Sequence, residues 1–226
     1  MDRETYKVHE EYMLLQMNDS SHDRQHIYRV LYLALDIARC ENNVDMDVLI
    51  ASCLLHDIGR QRQFESPALC HASEGGAMAY DYLMRRGWSS EKANHVKKCV
   101  ESHRYRTDNL PESIEAKILF DADKIDATGA MGIARTILYT GQMNTPLYLT
   151  DENGRVTDGA DETAGLSFLH EYNFKLKNLY DRFFTRRGNE IASQRRAAAV
   201  NFYSNMLDEV KSTHEQGIKY LDAVLS

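Results

Sequence analysis

A histidine and an aspartate stand side by side at His56-Asp57, directly after the apolar run Val48-Leu49-Ile50-Ala51-Ser52-Cys53-Leu54-Leu55. An imidazole and a carboxylate at the edge of an apolar core are costly unless each finds a partner. A salt bridge or a helix cap is one solution. A divalent cation is another, because neutral imidazole and carboxylate both suit Mn, Fe, Zn, Co or Ni. Further residues of the same chemical kind stand elsewhere. His26 lies thirty residues upstream within SHDRQHIYRV, and His71 and His103 follow downstream in CHASEGGA and ESHRYR. The segment LFDADKIDATGA then puts Asp121, Asp123, Asp126 and Lys124 into an otherwise apolar helix, where three carboxylates call for something cationic to meet them.

The elements that must carry these residues read as helices. Residues 4–17 place Tyr6, His9, Tyr12 and Met13 along one side. Ser20 and Asp23 fit a capping box that opens a second helix. That helix, to about Cys40, sets Ile27, Val30, Leu31, Ala34, Leu35 and Ala38 on one apolar face at helical spacing. Asn42 and Asn43 end it, and Asp45 or Asp47 can cap the next. The third helix, around 48–55, is apolar on nearly every side and therefore buried. It stops at His56-Asp57-Ile58-Gly59, where Gly59 suits a left-handed helix end. Residues 60–70 read as a polar loop, with helices at about 71–86, 90–103 and 112–139. Residues 141–163 are rich in Gly, Asn, Asp and Thr and read as an excursion or mobile flap. Two long helices, about 165–186 and 189–223, close the chain, with a break near Arg187-Gly188-Asn189. No strand pattern stands out, so the expected fold class is all-α, a single domain with its core at about 20–140 and a helical extension at about 164–226.

The 226 residues carry a net charge of −7, which argues against a nucleic-acid surface because phosphate backbones are held by clustered Lys and Arg. A small anionic ligand is not excluded, since a bound cation supplies local positive charge. Cys40, Cys53, Cys70 and Cys99 form no CxxC pair, and Cys40 and Cys53 read as small buried thiols. The polar start and the lack of any membrane-length apolar run point to a soluble, cytoplasmic protein without a membrane partner. The amphipathic C-terminal helices could pair two copies as a homodimer.

The ordered set HxxRV, HDIG, HxxxGA and DADKxDAxGAxGIAR, over residues 22 to 135, resembles the HD-domain metal-dependent phosphohydrolase superfamily, and in particular its small bacterial members. The resemblance implies an all-helical HD bundle with a divalent metal as cofactor. It carries the ligand roles onto His26, His56, Asp57 and Asp123. Asp121 competes for the last role, and helical geometry does not decide between them; the family motif favours Asp123. His71 and His103 resemble histidines that some members use for substrate phosphate or a second metal, and Lys124 resembles a phosphate-contacting lysine. Arg60, Arg62, Arg104 and Arg106 flank the motifs and could meet phosphate through paired N–H donors. The leftover carboxylates could orient ligand imidazoles. His22, one turn before His26, is expected near the helix cap. His9, His95, His170 and His214 read as ordinary helical residues, and Tyr105, Tyr139 and Tyr148 are candidates for stacking a base. The resemblance implies hydrolysis of a phosphoester or phosphoanhydride, with Asp57 and Lys124 in the chemistry and a nucleotide as substrate. Triphosphates rank ahead of monophosphates. Opening of a cyclic phosphodiester, or a non-catalytic ligand sensor, are the alternatives.

Overall fold

The apolar run after residue 45 forms a helix buried on almost every side, and the first part of the chain is built around it. In this computed structural model, which describes residues 1–16, 24–104, 109–161, 163 and 165–226, the chain divides into two compact units. One comprises residues 1–126 and 183–188, the other residues 127–182 and 189–226.

The first unit holds α1 (Arg3–Gln16), α2 (Arg24–Ala38), α3 (Met46–Leu55), α4 (Arg60–Glu65), α5 (His71–Arg85), α6 (Ser90–Ser102) and α7 (Ile114–Asp126). Asp45 caps α3 through its side chain, which accepts from the N–H groups of Asp47 and Val48. Helix α3 then packs against α1, α2, α6 and α7. Its Leu49, Leu54 and Leu55 are fully buried, and removing each from water contributes on the order of 2 kcal/mol. On α2 the face His26, Ile27, Val30, Leu31, Ala34 is buried, so the first histidine starts on the core side of its helix.

The second unit holds α8 (Gly129–Gln142), α9 (Phe168–Phe174), a 3-10 turn (Leu176–Asp181) and most of α10 (Arg186–Leu225). Its interior is aromatic. Tyr172 and Tyr203 stack with ring centroids 4.1 Å apart, and Phe168 is fully buried. Within the expected 141–163 excursion, the Asp158 carbonyl accepts from Asn173 Nδ2 at 2.8 Å and Val156 is buried.

Several boundaries differ from the sequence expectation. Residues 60–65 form α4 instead of a loop. The single helix expected at 112–139 is two helices. Thr128 is extended at φ −105°, ψ 160°, and Gly129 turns the chain at φ +62°, a conformation that a side chain would strain. The break expected at 187–189 falls earlier. Thr185 Oγ1 accepts from Gly188 N at 3.0 Å, so Gly188 lies in the capped first turn of α10, where glycine breaks nothing. Upstream, Asn178 Nδ2 takes the Phe174 carbonyl at 3.1 Å and ends α9, so no long helix spans 165–186. Cys40 is exposed just past the end of α2, whereas Cys53 is buried. The capping box at 20–23 and His22 lie outside the described residues. Among the described residues there is no strand, only an isolated Thr150–Val156 bridge. The fold is all-α. No helix among the described residues is long and apolar enough to cross a membrane.

Candidate metal centre

Four imidazoles of the first unit turn inward together, and each has one nitrogen already engaged. His56 closes α3 and its Nδ1 lies 2.8 Å from the Cys53 carbonyl. His103 closes α6 in the same way, with Nδ1 2.5 Å from the Val100 carbonyl. His26 Nδ1 meets Asp126 Oδ2 at 2.8 Å, and His71 Nδ1 meets Gln63 Oε1 at 2.6 Å. A carbonyl or carboxylate oxygen only accepts, so each Nδ1 carries the proton and each Nε2 presents a lone pair. His26 Nε2 and His56 Nε2 face one another at 3.3 Å. Two lone pairs at that distance repel unless a cation lies beside them.

The carboxylates complete the arrangement. Asp57 Oδ2 lies 3.6 Å from His26 Nε2 and 3.7 Å from His56 Nε2. Its Oδ1 lies 3.7 Å from His71 Nε2 and 3.6 Å from His103 Nε2. Asp123 Oδ1 stands 3.4 Å from His26 Nε2, and its Oδ2 accepts from Lys124 Nζ at 2.6 Å. Two groupings of a size to hold an ion result, His26, His56 and Asp123 on one side and Asp57, His71 and His103 on the other. Asp57 turns one oxygen to each.

Burial removes solvent from these groups and decides their protonation. It pushes His56 down to about 4 and His71 down to about 2, the latter helped by the Arg60 guanidinium. Both stay neutral at physiological pH, the form that binds metal. Burial acts to raise the Asp57 carboxyl, but Arg60, whose Nε donates to Oδ2 at 2.6 Å, and His56 hold it well below the usual carboxylate range. Asp123 is likewise held low against its burial by Lys124 and His26. Asp57 Oδ1 and His71 Nε2 are buried with no hydrogen-bond partner among the described residues. Charged carboxylates, neutral imidazoles and two orphaned acceptors side by side fit a divalent cation.

Not every residue singled out in the sequence meets this centre. Asp121, the competitor of Asp123, turns away: Oδ1 accepts from Phe184 N at 2.9 Å, and Oδ2 accepts from Thr185 N at 2.7 Å and Thr185 Oγ1 at 2.6 Å. Lys124 is held between Asp123 and the His103 carbonyl, 3.0 Å away. Arg104 reaches Cys70 Sγ at 3.7 Å, and Arg62 pairs with Glu74 at 2.9 Å. Tyr105 and Arg106 lie outside the described residues. In the second unit, Tyr148 meets His214 Nε2 at 3.2 Å and Tyr139 is exposed. Gly59 is in right-handed helical conformation, φ −83°, so it is no left-handed helix end. Its role is close approach: a Cβ there would stand 2.3 Å from the His71 carbonyl oxygen and 2.5 Å from Gly75 N.

Two residues at the centre had no role assigned from the sequence. Arg29 grips Asp126 with Nε at 2.6 Å and Nη2 at 3.1 Å, fixing the carboxylate that fixes His26. The spacing in His26-x-x-Arg29 was the available signal, since residues three apart share a helix side. Gln63 carried no signal at all.

A family model described as HD domain matches residues 24–128. The protein YpgQ of Bacillus subtilis is 29% identical to this chain over 201 residues, which is 87% of this chain and 88% of that one. The crystal structure of YpgQ in complex with ADP matches with a TM-score of 0.69 at 25% identity, covering 91% of this chain and 97% of that chain. A crystal structure of a predicted HD superfamily hydrolase from an uncultured Thermotogales bacterium matches at 0.59, with 26% identity over 92% of each chain.

Proposed function

We propose that this chain, which an HD-domain family model matches over residues 24–128, is a metal-dependent phosphohydrolase acting on a nucleotide, a (deoxy)nucleoside triphosphate ahead of a monophosphate. The observation that carries the reading is the convergence of four Nε2 lone pairs on the two oxygens of the buried Asp57 carboxylate. The nucleotide class draws its support from YpgQ, a relative whose crystal structure is a complex with ADP.

In this reading His26, His56, Asp57 and Asp123 would hold one divalent ion, and His71 and His103 would join Asp57 in holding a second. When bound, such an ion polarises a phosphoryl oxygen and lowers the pKa of water. The rest falls to the chain. Asp126, gripped by Arg29, keeps the His26 lone pair aimed inward, as the main-chain carbonyls of Cys53 and Val100 do for His56 and His103. Asp57 Oδ1 accepts a hydrogen bond from the attacking water and orients it. The carboxyl is too acidic to keep the proton, which passes on to solvent. As water oxygen bonds to phosphorus and the bridging P–O bond breaks, the bridging oxygen leaves with the bond pair, and negative charge grows on it and on the phosphoryl oxygens. Arg60, whose side chain is partly exposed, supplies N–H donors there, and Lys124 sustains the charge of Asp123.

Metal analysis of the purified protein, followed by phosphate-release assays on a nucleotide panel with added Mn(II), tests the proposal. Bound metal with turnover supports it. Bound metal without turnover makes the protein a sensor, and absence of metal makes the centre an ion-pair cluster; either result refutes the enzyme.

A further inference from the structure

Three of the four imidazoles take their orientation from rigid partners. His56 and His103 lean on main-chain carbonyls one turn back in their own helices, and His26 leans on a carboxylate that Arg29 grips from the far side. His71 differs. Among the described residues its Nδ1 is held only by the Gln63 side chain, and Gln63 sits on α4, a six-residue helix without a single buried residue. A primary amide is two-faced, since its oxygen accepts and its nitrogen donates. Turned the other way, its NH2 would meet Nδ1, shift the imidazole proton to Nε2 and aim that proton at Asp57 Oδ1.

The Leu69 carbonyl prevents this. It accepts from Gln63 Nε2 at 3.0 Å, which obliges Gln63 Oε1 to face His71 at 2.6 Å. The direction therefore runs from the Leu69 carbonyl through both ends of the Gln63 amide to the His71 Nδ1–H. It ends on the Nε2 lone pair, which is buried without a hydrogen-bond partner among the described residues, 3.7 Å from Asp57 Oδ1. The geometry assigns Gln63 as the positioning residue of the second cation position. It sets that position through the tautomer of His71, independently of the His26–His56–Asp123 grouping. The inference rests on the metal reading above and extends it to a residue that touches neither ion nor substrate.

The test uses the metal-free full-length chain titrated with Mn(II) alone and followed by calorimetry. Wild type takes two ions. Gln63→Leu leaves the first affinity unchanged and weakens the second by about 10–100-fold, the usual consequence of losing a partner behind a ligand imidazole. Gln63→Glu keeps an acceptor on Nδ1 and restores most of the second affinity. Nitrogen-15 spectra of the histidine rings in the same metal-free samples show His71 protonated on Nδ1 in wild type and shifted toward the Nε2–H form in Gln63→Leu. Equal loss at both steps, an unchanged second step, a single ion in wild type, or an unaltered His71 tautomer each overturns the assignment. The spectra need neither metal nor substrate, so a protein that hydrolyses no nucleotide leaves them able to decide the role of Gln63.

Discussion

Asp121 and Asp123 stand two residues apart on α7, and exchanging each for alanine should damage different properties. The Asp121 carboxylate takes three hydrogen bonds from Phe184 N, Thr185 N and Thr185 Oγ1, and Thr185 Oγ1 in turn caps Gly188 N at the start of α10. Asp121→Ala strands the buried Thr185 N–H, a loss of about 1–3 kcal/mol, and loosens a cap worth about 1 kcal/mol. A small return comes from removing a carboxylate whose burial raises its pKa despite those bonds. The net is about 1–3 kcal/mol of stability, or roughly 1 M in urea midpoint for a chain of this length. Mn(II) affinity measured below the transition stays unchanged. Asp123→Ala loses its pair with Lys124, which keeps the His103 carbonyl, so stability of the metal-free protein falls by only about 1–2 kcal/mol. The ion is lost. Urea unfolding followed by circular dichroism, with calorimetric Mn(II) titration on the same samples, reads both quantities. The reasoning fails if Asp121→Ala abolishes metal binding with its midpoint intact, or if Asp123→Ala still binds.

Further expectations concern the same centre. Asp57→Ala removes a carboxylate that belongs to one grouping and turns its other oxygen toward His26 and His56 of the second, so metal content and hydrolysis should vanish while the far-ultraviolet helical signal survives; retained turnover would refute the ligand assignment. Gly59→Ala forces a methyl against the His71 carbonyl and Gly75 N, and should cost about 2 kcal/mol or more together with Mn(II) affinity. A variant as stable as wild type would show that α4 and α5 do not meet as described. Acid should weaken the metal-free protein early. His56 and His71 are depressed to about 4 and about 2 in the fold against about 6.5 unfolded, so the unfolded chain takes up protons first as pH falls. Their contribution is present above pH 6.5 and is lost on acidification, by about 3–4 kcal/mol between pH 7 and pH 5. A flat urea midpoint across that range would contradict the burial of the two rings.

Much of the fold was legible because helix patterning is local. The core face of α2 and the all-round burial of α3 follow from residue types at fixed offsets, and a cap at Asp45 or Asp47 follows from their place before α3, with the structure choosing Asp45. The candidate ligands came from the resemblance to the HD superfamily; the residues alone showed only that histidine and aspartate at the edge of apolar helices declare a cost that something must offset. Other features depended on groups far apart in the chain. Whether Asp121 or Asp123 faces the histidines hinges on Thr185, sixty-four residues away, which claims one of the two. The direction of His26 hinges on Asp126, a hundred residues on, and that of His71 on an amide that no motif marks. Hydrophobic periodicity states which side of a helix is buried, but it carries no information about which polar atom on another helix completes a hydrogen bond. Only the packed structure turns the two oxygens of Asp57 toward two different pairs of imidazoles.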